Sequence, residues 1–146
     1  MMDEELLPRY QAKVTFEHRD FPQAKHPLAR KAAIAARALL EINPKLALDF
    51  RREILAAIGE ITLENFKDRV GAFAASHGVK PVRVLAALND PKFDALVQRD
   101  VQDGIARGVS KTPTVFVNAQ PFVETFSFAE IAAVIDEQLM AVRSAE

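Results

Sequence analysis

In its last third the sequence reads Gly108-Val109-Ser110-Lys111-Thr112-Pro113-Thr114-Val115-Phe116-Val117-Asn118. The part from Thr112 to Asn118 is rich in β-branched and aromatic residues, is bounded by turn-forming residues and is too short for a helix. These features predict a strand with both faces covered by other elements. Because proline cannot donate a hydrogen bond to a neighbouring strand, Pro113 fits the first position of this strand.

The residues that follow predict a hairpin and a closing helix. The run Asn118-Ala119-Gln120-Pro121 favours a turn into a second short strand at Phe122-Val123. Ser127 and Glu130 have the Ser-x-x-Glu spacing of a capping box, which marks the start of a helix. The apolar stripe of that helix consists of Phe128, Ile131, Ile135 and Leu139.

The first part of the chain predicts a short helix, a strand and then a long helical stretch. Residues 3–10 favour a helical piece, and Ala12, Val14 and Phe16 then alternate with polar residues as in a strand. From about residue 27 to about residue 107 the periodicity is helical. Five helices are predicted there, beginning near Pro27, Asn43-Pro44, Thr62, Pro81 and Asp90-Pro91.

The helical stretch carries apolar stripes and glycines that are suited to helix ends. The stripes are predicted to include Ala47, Phe50, Ile54, Ile58, Leu63, Phe66, Val70, Phe73, Phe93, Leu96, Val97, Val101 and Ile105. Gly59, Gly78 and Gly108 each follow a predicted helix. The order of elements is therefore helix, strand, about five helices, two strands and helix, which predicts an α/β fold with a multi-helix insertion between strands.

Composition limits the classes of function. The chain has 146 residues, a net charge of -1 and no cysteine. The balanced charge gives no reason to expect a nucleic-acid partner or an anionic membrane surface. Without cysteine, the chain supplies no disulfide, thiolate metal ligand or thiol nucleophile. We also expect no membrane span, and the acidic start of the chain does not have the pattern of a signal peptide.

The remaining polar residues predict no metal site and no cofactor. His18, His26 and His77 lack the spacing of metal ligands, and His77 beside Gly78 fits a helix end. The acidic side chains of Glu17, Asp20, Asp100 and Asp103 are interpreted as a solvated face. The basic pairs Arg30-Lys31 and Arg51-Arg52 are interpreted as helix surface.

The order of these motifs resembles the DsbA-like thioredoxin-fold family. The resemblance lies in Val14-Thr15-Phe16-Glu17-His18-Arg19-Asp20-Phe21-Pro22, in His26-Pro27-Leu28-Ala29, and in the Gly108 to Asn118 segment, which is similar to that family's Gly-Val-x-x-Thr-Pro-Thr strand. The family also has a multi-helix insertion between these points. By this resemblance the chain is a single truncated thioredoxin-like domain over 1–146, with the insertion at about 27–107.

The resemblance implies a substrate-binding role for Thr112 and Pro113. Pro113 corresponds to the family's cis-proline, whereas the residues alone favour a trans bond. In the family, this pair faces a redox dithiol and its backbone pairs with an extended polypeptide substrate. His26 and Ala29 take no catalytic role from the resemblance.

The absence of cysteine departs from the family, because dithiol exchange requires a thiolate. The chain is therefore expected to lack the family's first strand and its Cys-x-x-Cys motif. That strand lies between the strand of Val14 and the strand of Thr114, so we predict that a partner chain, such as a second copy in a homo-oligomer, or rearranged pairing closes the gap. The family usually works in the cell envelope, but no export signal is recognised here.

Three hypotheses for function remain open at this point. The first is a DsbA-like thiol–disulfide oxidoreductase or isomerase family member whose present chain does not catalyse dithiol exchange. The second is a non-catalytic peptide-binding or chaperone-like module that uses the edge at Thr112-Pro113. The third is a helical interaction domain whose resemblance to the family is accidental. No catalytic residue is predicted under any of them.

Overall fold

The computed structural model describes residues 2–145 and divides the chain into two compact units. The terminal unit contains the residues up to His18 and those from Arg107 onward, and the helical unit contains Arg19–Ala106. The predicted single domain over 1–146 and the predicted insertion limits of about 27–107 stay predictions.

The terminal unit is built from a short N-terminal helix, a hairpin and a long closing helix. A π-helical turn, Met2–Leu6, leads into α1 (Leu7–Tyr10). The hairpin consists of β1 (Thr114–Val117) and β2 (Gln120–Val123), and α7 (Phe128–Ser144) follows it. The predicted hairpin is therefore confirmed, but its limits differ. β1 begins after Pro113, and Gln120 and Pro121 belong to β2 and not to the turn.

Two local signals fix the ends of these elements. The turn between the strands has a positive φ of 51° at Asn118, a conformation that asparagine tolerates better than most residues. At the start of α7, the Ser127 side chain accepts from the Glu130 amide while the Glu130 carboxylate accepts from Ser127, so the predicted capping box is confirmed. The N-terminal orphan amides of α7 are thereby partly satisfied.

The core of the terminal unit lies between α7, the hairpin and the N-terminal helix. One face of β1 packs there, and the stripe predicted for α7 supplies much of its surface. The buried members are Leu6, Tyr10, Ile131, Ala132 and Ile135, and the half-buried residues packed on them include Val14, Phe16, Val115, Val117, Phe122, Phe128 and Leu139.

The strand predicted around Val14 is wrong. Residues 11–14 form a turn and a bend, and residues 15–23 have no regular structure. Val14 and Phe16 do pack on the core and Thr15 is exposed, as the alternation indicates. Ala12, which the pattern places on the same face as Val14, is exposed. A strand also needs a neighbouring backbone, and within residues 2–145 the sheet contains only β1 and β2.

The helical unit contains five helices, as predicted. They are α2 (Ala29–Ile42), α3 (Pro44–Ala56), α4 (Phe66–Ser76), α5 (Pro81–Ala87) and α6 (Pro91–Ala106). Asn43 caps α3 by accepting from the Lys45 amide over 2.9 Å, and Pro44 opens the helix. Gly78 has a φ of 72° after α4, which confirms its role at a helix end.

The predicted helix boundaries and stripes fail in a few places. α3 ends at Ala56 with Ala57 as its C-cap, so Gly59 does not cap it. Asn65, not Thr62, stands at the N-cap of α4. Three predicted stripe residues at or beyond helix ends, Ile58, Leu63 and Ile105, are exposed because no neighbouring element covers them. The core is built from Ala33, Ala35, Ala36, Leu39, Phe50, Phe66, Val70, Phe73, Val84, Phe93 and Val97 with their neighbours.

An ion cluster lies inside the helical unit, and it contradicts the interpretation of Asp20 and Asp100 as part of a solvated face. Glu17 and Asp103, the other two residues interpreted in this way, are exposed. Asp20 and Asp100 are 6% and 3% exposed. The Arg37 guanidinium bridges them, and Arg51 donates to Asp20 over 3.1 Å. Arg51 is 18% exposed, so it is not part of the helix surface as predicted. The exposed Arg19 also donates to Asp100 over 3.1 Å. Three arginines thus neutralise the two aspartates, and such pairing is the condition for burying charge at acceptable cost.

In the part of the chain that the structure describes, no helix is long and apolar enough to cross a membrane.

Candidate functional site

Thr112 and Pro113 lie in the loop that leads into β1, and both residues are exposed. The peptide bond between them is cis. The structure thus places the two predicted site residues side by side at the surface of the terminal unit, immediately before the strand.

Contacts of Lys111, Pro113 and Thr114 hold this loop in place. The Thr114 hydroxyl donates to the Lys111 carbonyl over 2.6 Å, which closes the loop on itself. The Glu124 amide donates to the Pro113 carbonyl over 2.8 Å. The Lys111 ammonium lies 2.8 Å from a carboxylate oxygen of Glu124. The loop is therefore fixed on both sides of Pro113, by one backbone bond and one ion pair.

The ion pair also sets the charge of the loop. The hydrogen bond and the negative charge of Glu124 raise the pKa of Lys111, so the ammonium stays protonated. Both side chains are exposed, which makes the pair weak in energy. It leaves the surface beside Thr112 and Pro113 close to neutral rather than cationic.

The bond between Glu124 and Pro113 fixes which backbone groups of β1 face β2. Hydrogen-bonded and non-hydrogen-bonded pairs alternate along an antiparallel ladder. Pro113 stands opposite Glu124 in a hydrogen-bonded pair. The pair of Val115 with Phe122, two residues along the register, is therefore of the same kind.

The intervening residues of β1 point the other way. By the same alternation, the amides and carbonyls of Thr114 and Phe116 face away from β2. No strand lies on that side, and no backbone hydrogen bond links these two residues to another segment within residues 2–145. We call this side of β1 the outer edge. Such an edge can pair with another extended chain.

The side chains along the outer edge have defined neighbours. Val115 and Val117 pack on the core with α7. Thr114 and Phe116 lie on the opposite face, where the Arg107 guanidinium carbon stands 5.9 Å from the centre of the Phe116 ring. This is the range of a cation–π contact. The site therefore combines a strand edge without charged residues and the Arg107 guanidinium near its aromatic residue.

Nothing in the described residues assembles a metal site. Within residues 2–145 no three His, Asp or Glu side chains come close enough to share an ion. The His77 ring lies 2.9 Å from the Phe73 carbonyl through Nδ1 and stacks on the Phe73 ring, at the C-cap of α4. His77 is thus the capping residue that its position beside Gly78 predicts.

Sequence reasoning missed the residues that shape the site around Thr112 and Pro113. Lys111 and Glu124 form the ion pair, and Thr114 and Phe116 carry the outer edge. The sequence indicates a turn at Asn118-Ala119-Gln120-Pro121, whereas the structure confines it to Asn118-Ala119. Only the two-residue length fixes the pairing register and hence the direction of every backbone group. The contact of Arg107 with Phe116 had no local signal.

A shallow cleft of about 290 Å³ lies in the helical unit, between α2, α5 and α6. Its floor is formed by small side chains such as Ala38 and Ala87, and its rim carries the Lys92–Glu41 ion pair at 2.5 Å. Two further charged residues, Arg83 and Asp90, complete the lining. The cleft does not bring together a nucleophile and a base.

Comparison with known proteins supports the thioredoxin-fold part of the resemblance. A family model described as Thioredoxin matches residues 2–137. No curated protein and no solved structure matches the chain. The matched residues include the N-terminal helix, the helical unit, the Thr112-Pro113 loop, the hairpin and most of α7. The chain therefore belongs to the thioredoxin family.

Proposed function

We propose that this protein is a DsbA-like member of the thiol–disulfide oxidoreductases, and that its 146 residues contribute polypeptide binding rather than dithiol exchange. The observation that carries the proposal is the exposed Thr112-Pro113 loop at the start of a strand edge that pairs with no strand within residues 2–145. The family match over residues 2–137 supports the thioredoxin-like frame in which this loop stands. The cell envelope is the compartment that the proposal implies.

The cysteine content decides what these residues can do chemically. Thiol–disulfide exchange proceeds through attack by a thiolate and a mixed disulfide. The chain has no cysteine, so neither species can form on it. We therefore assign no catalytic residue, and we expect the purified chain to reduce or isomerise no disulfide.

Binding would proceed by strand addition. An extended polypeptide laid along the outer edge would exchange backbone hydrogen bonds with Thr114 and Phe116, and its end would pass Thr112 and Pro113. Backbone pairing of this kind is tolerant of sequence, which suits a protein that handles many polypeptides. The near-neutral Lys111–Glu124 pair beside the loop adds no strong preference for charge.

The test removes one outward donor without disturbing the hairpin. Thr114→Pro deletes the amide that faces away from β2, and Thr114→Val keeps that amide while losing the same hydroxyl. We expect Thr114→Pro to weaken binding of a fluorescent, thiol-blocked unfolded polypeptide about five- to tenfold relative to Thr114→Val, since one hydrogen bond contributes about 1 kcal/mol. Equal affinities of the two variants, with unchanged circular dichroism, would contradict binding at this edge.

A second candidate function is a chaperone-like module with no link to thiol chemistry, and the absence of cysteine favours it. The two candidates differ in whether the thiols of the bound polypeptide matter. If the protein serves an oxidoreductase, its addition should speed the oxidation of a reduced, cysteine-containing polypeptide by a separate dithiol enzyme. If it is a chaperone-like module, it should suppress aggregation of a cysteine-free polypeptide and leave that oxidation rate unchanged.

A further inference from the structure

The two edges of the hairpin differ in their capacity to pair. Phe116 stands opposite Pro121 in a non-hydrogen-bonded pair, so the nitrogen of Pro121 faces away from β1. Proline has no N–H, and the free edge of β2 therefore lacks a donor at its centre. Pro113 stands in a hydrogen-bonded pair, so its nitrogen faces β2. The outer edge of β1 therefore loses no donor through this proline.

This asymmetry restricts growth of the sheet to one side. The free edge of β2 is blunted by Pro121, a common device against unwanted strand pairing. The outer edge of β1 retains the amides of both Thr114 and Phe116 and carries no charged residue from Thr112 to Asn118. A two-stranded sheet is marginal on its own, and addition of strands on this side would stabilise it.

We propose that the occupant of the outer edge is β1 of a second copy of this chain, paired antiparallel about a two-fold axis at Val115. This inference rests on the same edge as the proposed function. In this register Thr114 stands opposite the partner's Phe116, and the two residues exchange both backbone hydrogen bonds. The product is a continuous four-stranded sheet in which the two copies of β2 form the outer edges.

The sequence of β1 is compatible with itself in this register. Val115 meets the partner's Val115, and Thr114 meets an aromatic side chain, both of which are favourable cross-strand pairs. Farther out, Pro113 meets the partner's Val117. None of these pairs sets like charges opposite each other, which is the usual obstacle to self-pairing of a strand. An isologous interface of this kind closes as a dimer.

The absence of native cysteine allows a direct test of the register. In the proposed pairing the two copies of Val115 form a non-hydrogen-bonded pair, whose Cα atoms lie about 4.5 Å apart and suit a disulfide. The two copies of Val117 are offset by four residues, or about 13 Å, which a disulfide cannot span. Both valines are half-buried on the same core, so the two cysteine substitutions should affect folding to a similar extent. The two variants can therefore serve as controls for each other.

The experiment is oxidation of Val115→Cys and Val117→Cys with diamide at the same protein concentration. We expect a covalent dimer of Val115→Cys on a non-reducing gel and a monomer of Val117→Cys. Absence of the Val115→Cys dimer, or equal cross-linking of both variants, would overturn the proposed register. Circular dichroism must show that the Val115→Cys chain is folded before either result is interpreted.

Light scattering separates self-pairing from polypeptide binding. The unmodified chain should be dimeric, and Thr114→Pro should be monomeric whereas Thr114→Val stays dimeric. A monomeric unmodified chain that binds thiol-blocked polypeptide would overturn self-pairing and leave the proposed function standing. A dimer that binds no polypeptide would support self-pairing and contradict the proposed function. Dissociation of the dimer by excess polypeptide would support both.

Discussion

Arg37 donates from Nε to Asp20 over 2.7 Å, and the two side chains are 14% and 5% exposed. The same guanidinium also donates to Asp100 of α6, and the Asp20 amide donates to that carboxylate over 2.8 Å. Arg37 therefore joins α2 to α6 and to the segment that enters the helical unit. Arg51 of α3 also donates to Asp20, and Arg19 donates to Asp100.

Replacing Arg37 should destabilise the protein far more than replacing an exposed arginine of the same helix. Arg37→Met removes the most buried cation of the cluster and leaves each carboxylate with a more exposed partner, Arg51 on Asp20 and Arg19 on Asp100. The loss should therefore lie near the lower end of the range of about 3–5 kcal/mol that breaking a buried pair costs. Arg30 lies 2.7 Å from Asp94, but the two side chains are 39% and 48% exposed. Arg30→Met should cost less than about 1 kcal/mol. Urea denaturation of the two variants measures the difference.

A small loss of stability in Arg37→Met, similar to that in Arg30→Met, would show that water reaches the cluster and screens Asp20 and Asp100. In that case Asp100→Asn should also be tolerated. If the cluster is dry, Asp100→Asn should be clearly destabilising, because it leaves the positive charge of Arg37 partly uncompensated.

Local signals in the sequence predicted most of the helices and the hairpin. Asn43-Pro44, Gly78 and the Ser127–Glu130 box act on their own backbone within a few residues, so their roles can be recognised without knowing the fold. The predicted strand at Val14 failed because a strand requires a neighbour, which a local pattern does not reveal.

The ion cluster could not be predicted for a related reason. Asp20 and Asp100 are 80 residues apart and meet only when the helices pack. Aspartate side chains are mostly exposed in proteins, so each carboxylate taken alone is expected to lie at the surface. Similarly, the sequence indicated Thr112 and Pro113 through the resemblance, but the outer edge at Thr114 and Phe116 follows only from the observed register.

Tyr10 should make the protein less stable as the pH rises through the alkaline range. Its hydroxyl donates to Asp136 over 2.9 Å, and burial, followed by this carboxylate, raises the pKa of Tyr10 above 10.0. Because the folded protein holds the proton more tightly, the stabilisation is complete below about pH 10 and is lost as the pH rises through the folded pKa.

Tyr10→Phe isolates this effect. The variant should lose about 1 kcal/mol near neutral pH, the contribution of one hydrogen bond, and its stability should fall less than that of the unmodified chain above about pH 10. Urea denaturation near pH 8 and near pH 10.5 makes the comparison. Parallel pH dependence of the two proteins would mean that other groups, not Tyr10, govern alkaline unfolding.

The capping box of α7 should respond to acid. The hydrogen bonds from Ser127 lower the pKa of Glu130 below 4.5. A lowered pKa contributes stability above the unfolded value, and this contribution is lost as the pH falls through the folded pKa. Ser127→Ala should therefore raise the pKa of Glu130 toward its ordinary value in an NMR titration. Ser144→Ala, at the other end of the same helix, should leave that pKa unchanged.

Pro121 should be what keeps the free edge of β2 from pairing. Pro121→Thr adds one amide on that edge, beside the exposed Val123, and creates a second pairing surface in each chain. A chain with one open edge closes as a dimer, whereas a chain with two can extend without limit. Pro121→Thr should therefore form large assemblies with rising concentration, detected by light scattering. The matched control is Gln120→Thr, because the amide of residue 120 already points toward Val117 and the substitution adds no outward donor.

If both variants keep the size of the unmodified chain, the missing N–H of Pro121 does not limit assembly. The difference between the two edges of the hairpin would then not explain why the sheet grows on one side.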